Sequence, residues 1–383
     1  IIAALIIIIF FVPYTASGFA ACGKLFSSLF GVKYLTAMII SAIVIVAYTT
    51  LGGFLAASTT DFIQSIIMSV ALIVVLIFGV ETAGGISAVI HNASELPGYL
   101  SMTLSYDVNT RKAAPYSALT IVSTAAWGLG YFGMPHILLR FMAIEDEKKL
   151  KLSRRVATIW VVISLFVAVF IGVIGYTMSK VGALEMLTGS NSETIIVKIS
   201  ALLSQHGVIF ALLAGVILAG ILASTMSTSD SQLLAASSAV SSDILGAFRK
   251  DSSNKNGSMA AARITLLVIS VVAAFIARNP DSSVFAIVSF AWAGFGAAFG
   301  PVVLFSLFWK RTSKWGALAG MVCGGSMVFI WKYLIRPLGG IWNIYELLPA
   351  FLIACAAIVI VSLLTPKPSK EIEEEFDRVA QMK

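Results

Sequence analysis

One run concentrates oxygen donors in an otherwise apolar stretch. Gly220-Ile-Leu-Ala-Ser-Thr-Met-Ser-Thr-Ser-Asp-Ser-Gln-Leu-Leu234 carries Ser224, Thr225, Ser227, Thr228, Ser229, Asp230, Ser231 and Gln232 near the end of a membrane-length hydrophobic segment. At about 100° per residue, Gly220, Ser224, Ser227, Thr228 and Ser231 fall on one stripe of a helix. A single hydroxyl there would bond a helix carbonyl or a neighbouring helix. Four on one stripe, with a carboxylate beside them, form a set of hard oxygen ligands suited to a small cation rather than to a soft metal.

Two other stretches carry chemistry. Asp61 closes Leu51-Gly-Gly-Phe-Leu-Ala-Ala-Ser-Thr-Thr-Asp61 at the start of a further apolar run. It is either a functional acid at membrane depth or a helix cap. Trp127-Gly-Leu-Gly-Tyr131-Phe-Gly-Met-Pro135-His136 packs three glycines and a proline into nine residues, which opposes a straight helix. Opened backbone inside a membrane is tolerated where it is buried or lines a cavity. Trp127, Tyr131 and Pro135 are four apart and share a face on helical spacing, so the segment is either a broken helix presenting aromatic walls to a small substrate or a kinked, tightly packed one. His136 is expected to pack; His91 and His206 fall in or near loops. No nucleophile–base constellation, phosphate loop or metal cluster is legible, so an enzyme is not expected.

The elements that hold these residues are membrane spans. The chain is 58% hydrophobic and 12% charged, with mean hydropathy +0.95, whereas soluble domains are about 25% charged. Ten spans are expected, near 1–22, 34–51, 62–82, 118–140, 155–178, 206–235, 262–278, 283–309, 316–335 and 346–365. Most of the Lys and Arg residues fall on one side, in the connections 140–155 and 249–263, the turn Lys310-Arg311-Thr-Ser-Lys314 and the tail 366–383. That side, and with it the C-terminus, is expected to be cytoplasmic. The net charge of +7 then needs no nucleic acid. Cys22, Cys323 and Cys355 show no metal or disulfide spacing. The tail reads as a solvated helix. Ile1 lies already inside a hydrophobic run, so the chain is expected to enter a helix partway, with its true N-terminus missing.

Leu51–Gln64, Trp127–Ile137 with Arg140-Phe-Met-Ala143, Met226–Leu234 and Phe290-Ala-Trp-Ala-Gly-Phe-Gly-Ala-Ala-Phe-Gly-Pro301 together resemble the sodium/solute symporter family, in particular its bacterial sodium/proline branch. The resemblance runs along the whole chain. It implies an all-α polytopic protein with the inverted-repeat, LeuT-like fold of amino-acid transporters, here a single transporter domain over 1–383 with ten helices of an expected thirteen and the first three missing. It implies sodium-coupled uptake of L-proline across a bacterial cell membrane, with the bilayer as surroundings and no obligate protein partner. By this resemblance the Ser224 carbonyl and the Ser227 and Thr228 hydroxyls match the sodium site. Asp61, Asp230 and Ser231 match a region where some members hold a second sodium, although an acid stands at 230 where those members have a hydroxyl. Tyr14, Trp127, Tyr131 and Pro135 match the proline pocket, with Met134 at its edge in place of a glutamine. The family's second helix would supply the other sodium carbonyls, so these residues form half a site and the expectation concerns the intact protein. The rivals are another solute on the same mechanism (pantothenate, another amino acid or a carboxylate), a membrane sensor, and a passive channel.

Overall fold

The computed structural model describes residues 1–248 and 255–381. Residues 249–254, part of the expected basic connection 249–263, and residues 382–383 of the tail lie outside the described residues. α1 (Ile2–Phe30) ends on Gly31, whose left-handed backbone (φ 65°) returns its N–H to the Ser27 carbonyl.

Helical backbone then runs unbroken through α2 (Tyr34–Thr82) for 49 residues. Straight, it would be about 73 Å long, more than twice the ~30 Å hydrocarbon core. It is not straight, because the hydroxyls of Tyr48 and Thr60 are hydrogen-bonded. A straight helix would hold those residues about 18 Å apart along its axis. The chain therefore turns back between them, and α2 is two spans, Tyr34–Leu51 and Ser58–Thr82.

Beyond α2 come α3 (Ile86–Ser94), strands β1 (Leu104–Asp107) and β2 (Lys112–Pro115), α4 (Ala118–Ala125), a 3₁₀ helix (Ala126–Gly133) and α5 (Pro135–Met142). α6 (Leu150–Lys180), α7 (Ile195–Leu203), α8 (Val208–Ser238), a π turn and α9 (Leu245–Phe248) follow. The chain closes with α10 (Lys255–Ile276), α11 (Val284–Phe308), α12 (Lys314–Ile330), α13 (Leu347–Leu364) and α14 (Lys370–Gln381).

Among the described residues, eight helical segments are long and apolar enough to span a bilayer. The other two expected spans differ. Residues 118–140 are broken by the 3₁₀ segment, as three glycines and Pro135 anticipate, and in α10 only Ala260–Ile276 is apolar. The all-α expectation also missed a small antiparallel hairpin, β1 against β2 with Asp107 opposite Lys112. Its turn is held by Asp107, whose Oδ1 accepts from the Asn109 amide at 2.8 Å and whose Oδ2 accepts from the Thr110 hydroxyl at 2.8 Å.

Small residues let the helices touch. Gly316, Gly320 and Gly324 recur every fourth residue on α12, where an added Cβ would lie 1.9 Å from Ser362 Oγ, 2.4 Å from Ile358 Cγ1 and 2.1 Å from the Ala297 carbonyl. On α11 every residue from Ala291 to Ala298 is buried, so the Phe290–Pro301 motif serves packing. Glu193 ties its own segment to two helices: to Lys24 on α1 at 2.7 Å, and to the start of α11 through the Ser283 hydroxyl at 2.8 Å and the Val284 and Phe285 amides. Burial pushes the Glu193 carboxyl up, but Lys24 and these donors outweigh it and hold the group below its ordinary range.

Candidate functional site

The oxygen-rich run lies in the second half of α8, wedged between α1 and α2. At Gly220 an added Cβ would meet Ala71 of α2 at 3.0 Å; on the other flank Ser229 Oγ abuts Gly18 of α1. Also toward α1, the Thr15 hydroxyl donates to Gln232 Oε1 at 3.4 Å. Within the helix the Ser227 and Thr228 hydroxyls both donate to the Ser224 carbonyl at 3.1 Å. Three oxygens thus converge, and each hydroxyl keeps lone pairs for a further partner. Oxygens 3.1 Å apart can both touch one cation of roughly calcium's size, which sits about 2.3–2.6 Å from its ligands. The Ser224 hydroxyl is engaged elsewhere, donating to the Ile221 carbonyl at 2.8 Å.

One turn on, the acids gather. Arg140, near the end of α5, donates through Nη2 to Asp61 Oδ2 and, at 2.9 Å, to Ser231 Oγ. The Ser231 hydroxyl in turn donates to Asp230 Oδ1 at 3.4 Å. Asp230 is fully buried, and its Oδ2 has no hydrogen-bond partner among the described residues; nor have Asp61 Oδ1 and Gln64 Oε1. Asp61 and Ser231, far apart in sequence, thus share one guanidinium, and Asp230 is joined to it only through the Ser231 hydroxyl. The sequence offers Arg140 as a motif residue and as a cation at the edge of the connection 140–155, with no acidic partner assigned to it. An acid at membrane depth wants a cation, and that was the available signal.

The aromatic residues divide. In a 3₁₀ helix four residues advance about 480° rather than 400°, so Trp127 and Tyr131 point about 120° apart instead of sharing a face. Trp127 stacks with Phe285, Trp292 and Tyr345 at centroid distances of 5.3, 5.5 and 5.8 Å. The Trp292 indole donates to the Trp127 carbonyl at 2.9 Å and meets Tyr131 edge-on at 4.8 Å. Tyr131 and Ser224 line one cavity of about 430 Å³ whose other walls come from α2, α6 and α8. Tyr14, Trp127 and Pro135 are not among its lining residues. Tyr14 is buried in α1 against the His136 ring, which lies between Tyr14 and Phe11. Pro135 opens α5, where its missing N–H costs nothing. Met134 is fully buried in the core rather than at an open edge.

Phe285, Trp292 and Tyr345 were not foreseen, since they come from segments distant in sequence, the first two on α11 and Tyr345 just before α13. Nor was Glu346, almost fully buried and paired with Arg336 at 2.8 Å and Lys332 at 3.6 Å near the Trp127 stack.

Residues 1–324 match the sodium:solute symporter family. The chain is 39% identical over 370 residues to the osmoregulated proline transporter OpuE of Bacillus subtilis, covering 97% of this chain and 71% of that protein. It is 39% identical over 377 residues to the sodium/proline symporter of Salmonella typhimurium (98% and 71%), and 40% identical over 384 residues to that of Haemophilus influenzae (99% and 73%). A solved substrate-bound, outward-open Na⁺-coupled sialic acid symporter superposes with a TM-score of 0.73 at 17% identity, covering 96% of this chain and 75% of that one, a likeness of fold.

Proposed function

This chain belongs to the sodium:solute symporter family, and we propose on that premise that it imports L-proline coupled to inward sodium movement across a bacterial cell membrane. The observation that carries the reading is the cavity of about 430 Å³ that joins Tyr131 to Ser224, bringing an aromatic wall and the ion-ligating helix to one space. Sodium is held by the Ser224 carbonyl and the Ser227 and Thr228 hydroxyls; proline lies against Tyr131, backed by Trp127 through Trp292. Tyr14 and Pro135 shape the same region from α1 and α5. Asp61, Asp230 and Ser231 act in coupling, tied to α5 by Arg140. The basic residues of 140–155 and 310–314 support a cytoplasmic C-terminus.

Sodium that orders α8 favours the substrate-binding state, and the binding free energy is shared, so sodium and proline tighten each other equally. A membrane potential adds about 2.3 kcal/mol per charge per 100 mV before any concentration gradient.

The test is uptake of labelled proline by the full-length protein in vesicles. Replacing sodium with choline abolishes uptake, and in a panel of unlabelled solutes proline competes best. Uptake indifferent to sodium would falsify the coupling. Stronger competition by pantothenate, another amino acid or a carboxylate would keep the mechanism and change the substrate.

Trp127→Ala removes three stacking partners from the wall behind Tyr131. Aromatic pairs contribute about 0.5–1.5 kcal/mol each, so the proline concentration for half-maximal uptake rises about tenfold. The sodium dependence at saturating proline stays near wild type. A change confined to sodium dependence would place Trp127 with the ion instead.

A further inference from the structure

The turn between α11 and α12 carries charges that the transport reading leaves unused. Lys310-Arg311-Thr-Ser-Lys314 places three cations in five residues. Arg311 Nη2 donates to the Thr365 carbonyl at 2.8 Å, while its buried Nη1 has no partner among the described residues. Lys314 is exposed, lies 5.7 Å from the Trp315 ring centroid, and pairs with no carboxylate among the described residues. Lys310 alone is paired, with Asp377 of α14 at 2.6 Å, both side chains about half exposed. The hydrogen bond to Asp377 raises the Lys310 ammonium above its ordinary value.

Around these cations runs an apolar collar. Leu307 and Phe308 at the end of α11, Trp315 on α12, and Leu363 and Leu364 at the end of α13 are each more than half exposed. An exposed Trp among aliphatic side chains at the ends of spans marks the hydrocarbon boundary. Beside the turn, Ser306 and Leu307 together with Ile372, Phe376 and Val379 of α14 line a cavity of about 310 Å³, with Glu371 and Glu375 also in its wall. Ile372, Phe376 and Val379, four and three apart, form one face of α14. Glu371 and Glu375 flank that face, and the rest of the helix carries Glu373, Glu374 and Asp377.

We propose that this turn binds the phosphate headgroup of an anionic phospholipid, and that α14 is the built-in competitor for it. The exposed Lys314 ammonium and the half-exposed Lys310 present positive charge that an oxyanion neutralises. Their position at the hydrocarbon boundary, inside the exposed collar of Leu307, Phe308, Trp315, Leu363 and Leu364, calls for acyl chains on the same ligand. A phospholipid satisfies both demands and inorganic phosphate only the first. The Asp377 carboxylate occupies Lys310 in the lipid's absence, so lipid and tail helix exclude each other at that residue. The assignment is independent of which solute the protein carries.

The test uses the full-length protein in vesicles that contain brominated phosphatidylglycerol or brominated phosphatidylcholine. Trp315 quenching is isolated as the difference between wild type and Trp315→Phe. Phosphatidylglycerol is expected to quench Trp315 at a several-fold lower mole fraction than phosphatidylcholine. The preference falls about fivefold for each of Lys310→Gln and Lys314→Gln, and falls again as salt is raised. Asp377→Asn, which frees Lys310, strengthens the preference; a merely structural tail would not produce that gain. Equal quenching by the two lipids overturns the site, as does displacement of phosphatidylglycerol by millimolar inorganic phosphate. An Asp377→Asn variant that binds phosphatidylglycerol no better overturns the competition.

Discussion

Replacing Ser227 and Thr228 together by alanine raises the sodium concentration for half-maximal proline uptake by between about thirtyfold and a thousandfold. Each hydroxyl removed from a desolvated cation site costs on the order of 1–2 kcal/mol, and about 1.4 kcal/mol is a factor of ten. The helix survives the change. Both hydroxyls bond only the Ser224 carbonyl of their own helix, and alanine is the better helix former. The loss therefore falls on the ion rather than the fold. Proline affinity measured at saturating sodium recovers toward wild type, because coupling is reciprocal and its sodium half is restored by mass action. The measurement is a sodium titration of initial uptake rates in vesicles, with the variant's amount in the membrane determined alongside. An unshifted sodium curve reduces the triad to internal hydrogen bonding.

The second large effect is structural. Gly133→Ala lowers the thermal midpoint in detergent steeply, while Gly128→Ala in the same 3₁₀ segment leaves it nearly unchanged. A Cβ on Gly133 would sit 2.2 Å from the Phe295 carbonyl oxygen and 2.7 Å from the Gly300 amide nitrogen. Both are backbone atoms of α11, so no rotamer change relieves the clash; the broken segment and α11 must part. That forfeits a backbone-to-backbone contact in the core and moves Trp127 and Tyr131 off Trp292, at a cost of about 3 kcal/mol or more. At Gly128 nothing lies within 4 Å of the added atom. Tryptophan fluorescence during heating, with size-exclusion recovery of monodisperse protein, reads the contrast. Equal midpoints for the two variants would mean that the broken segment does not bear on α11 as described.

Much of the membrane architecture is written locally. Bilayer insertion depends on runs of apolar residues, a one-dimensional property, so the spans and their rough ends follow from composition along the chain. The break at Gly128–Pro135 is equally local, since proline and glycine act on their own backbone. The convergence of Ser224, Ser227 and Thr228 is legible because helical periodicity alone brings a carbonyl and two hydroxyls three and four residues later to one point.

What sequence could not settle depends on phase and on partners from other helices. Trp127 and Tyr131 part because the segment winds as a 3₁₀ helix; spacing shows that a helix is strained but not which winding relieves the strain. Arg140 reads as a motif residue and a cation at a loop edge until folding carries it to Asp61 and Ser231. The Trp127 stack needs Phe285, Trp292 and Tyr345 from the far half of the chain. By itself, then, the sequence determined the membrane class, the broken helix and the hydroxyl-bearing face of α8, because each rests on interactions within a few residues. Only the tertiary structure decided which aromatic ring faces the cavity, which cation serves the buried acids and which lysine the tail helix covers. Those outcomes are set by close packing between helices, where a rotation of a third of a turn changes every neighbour.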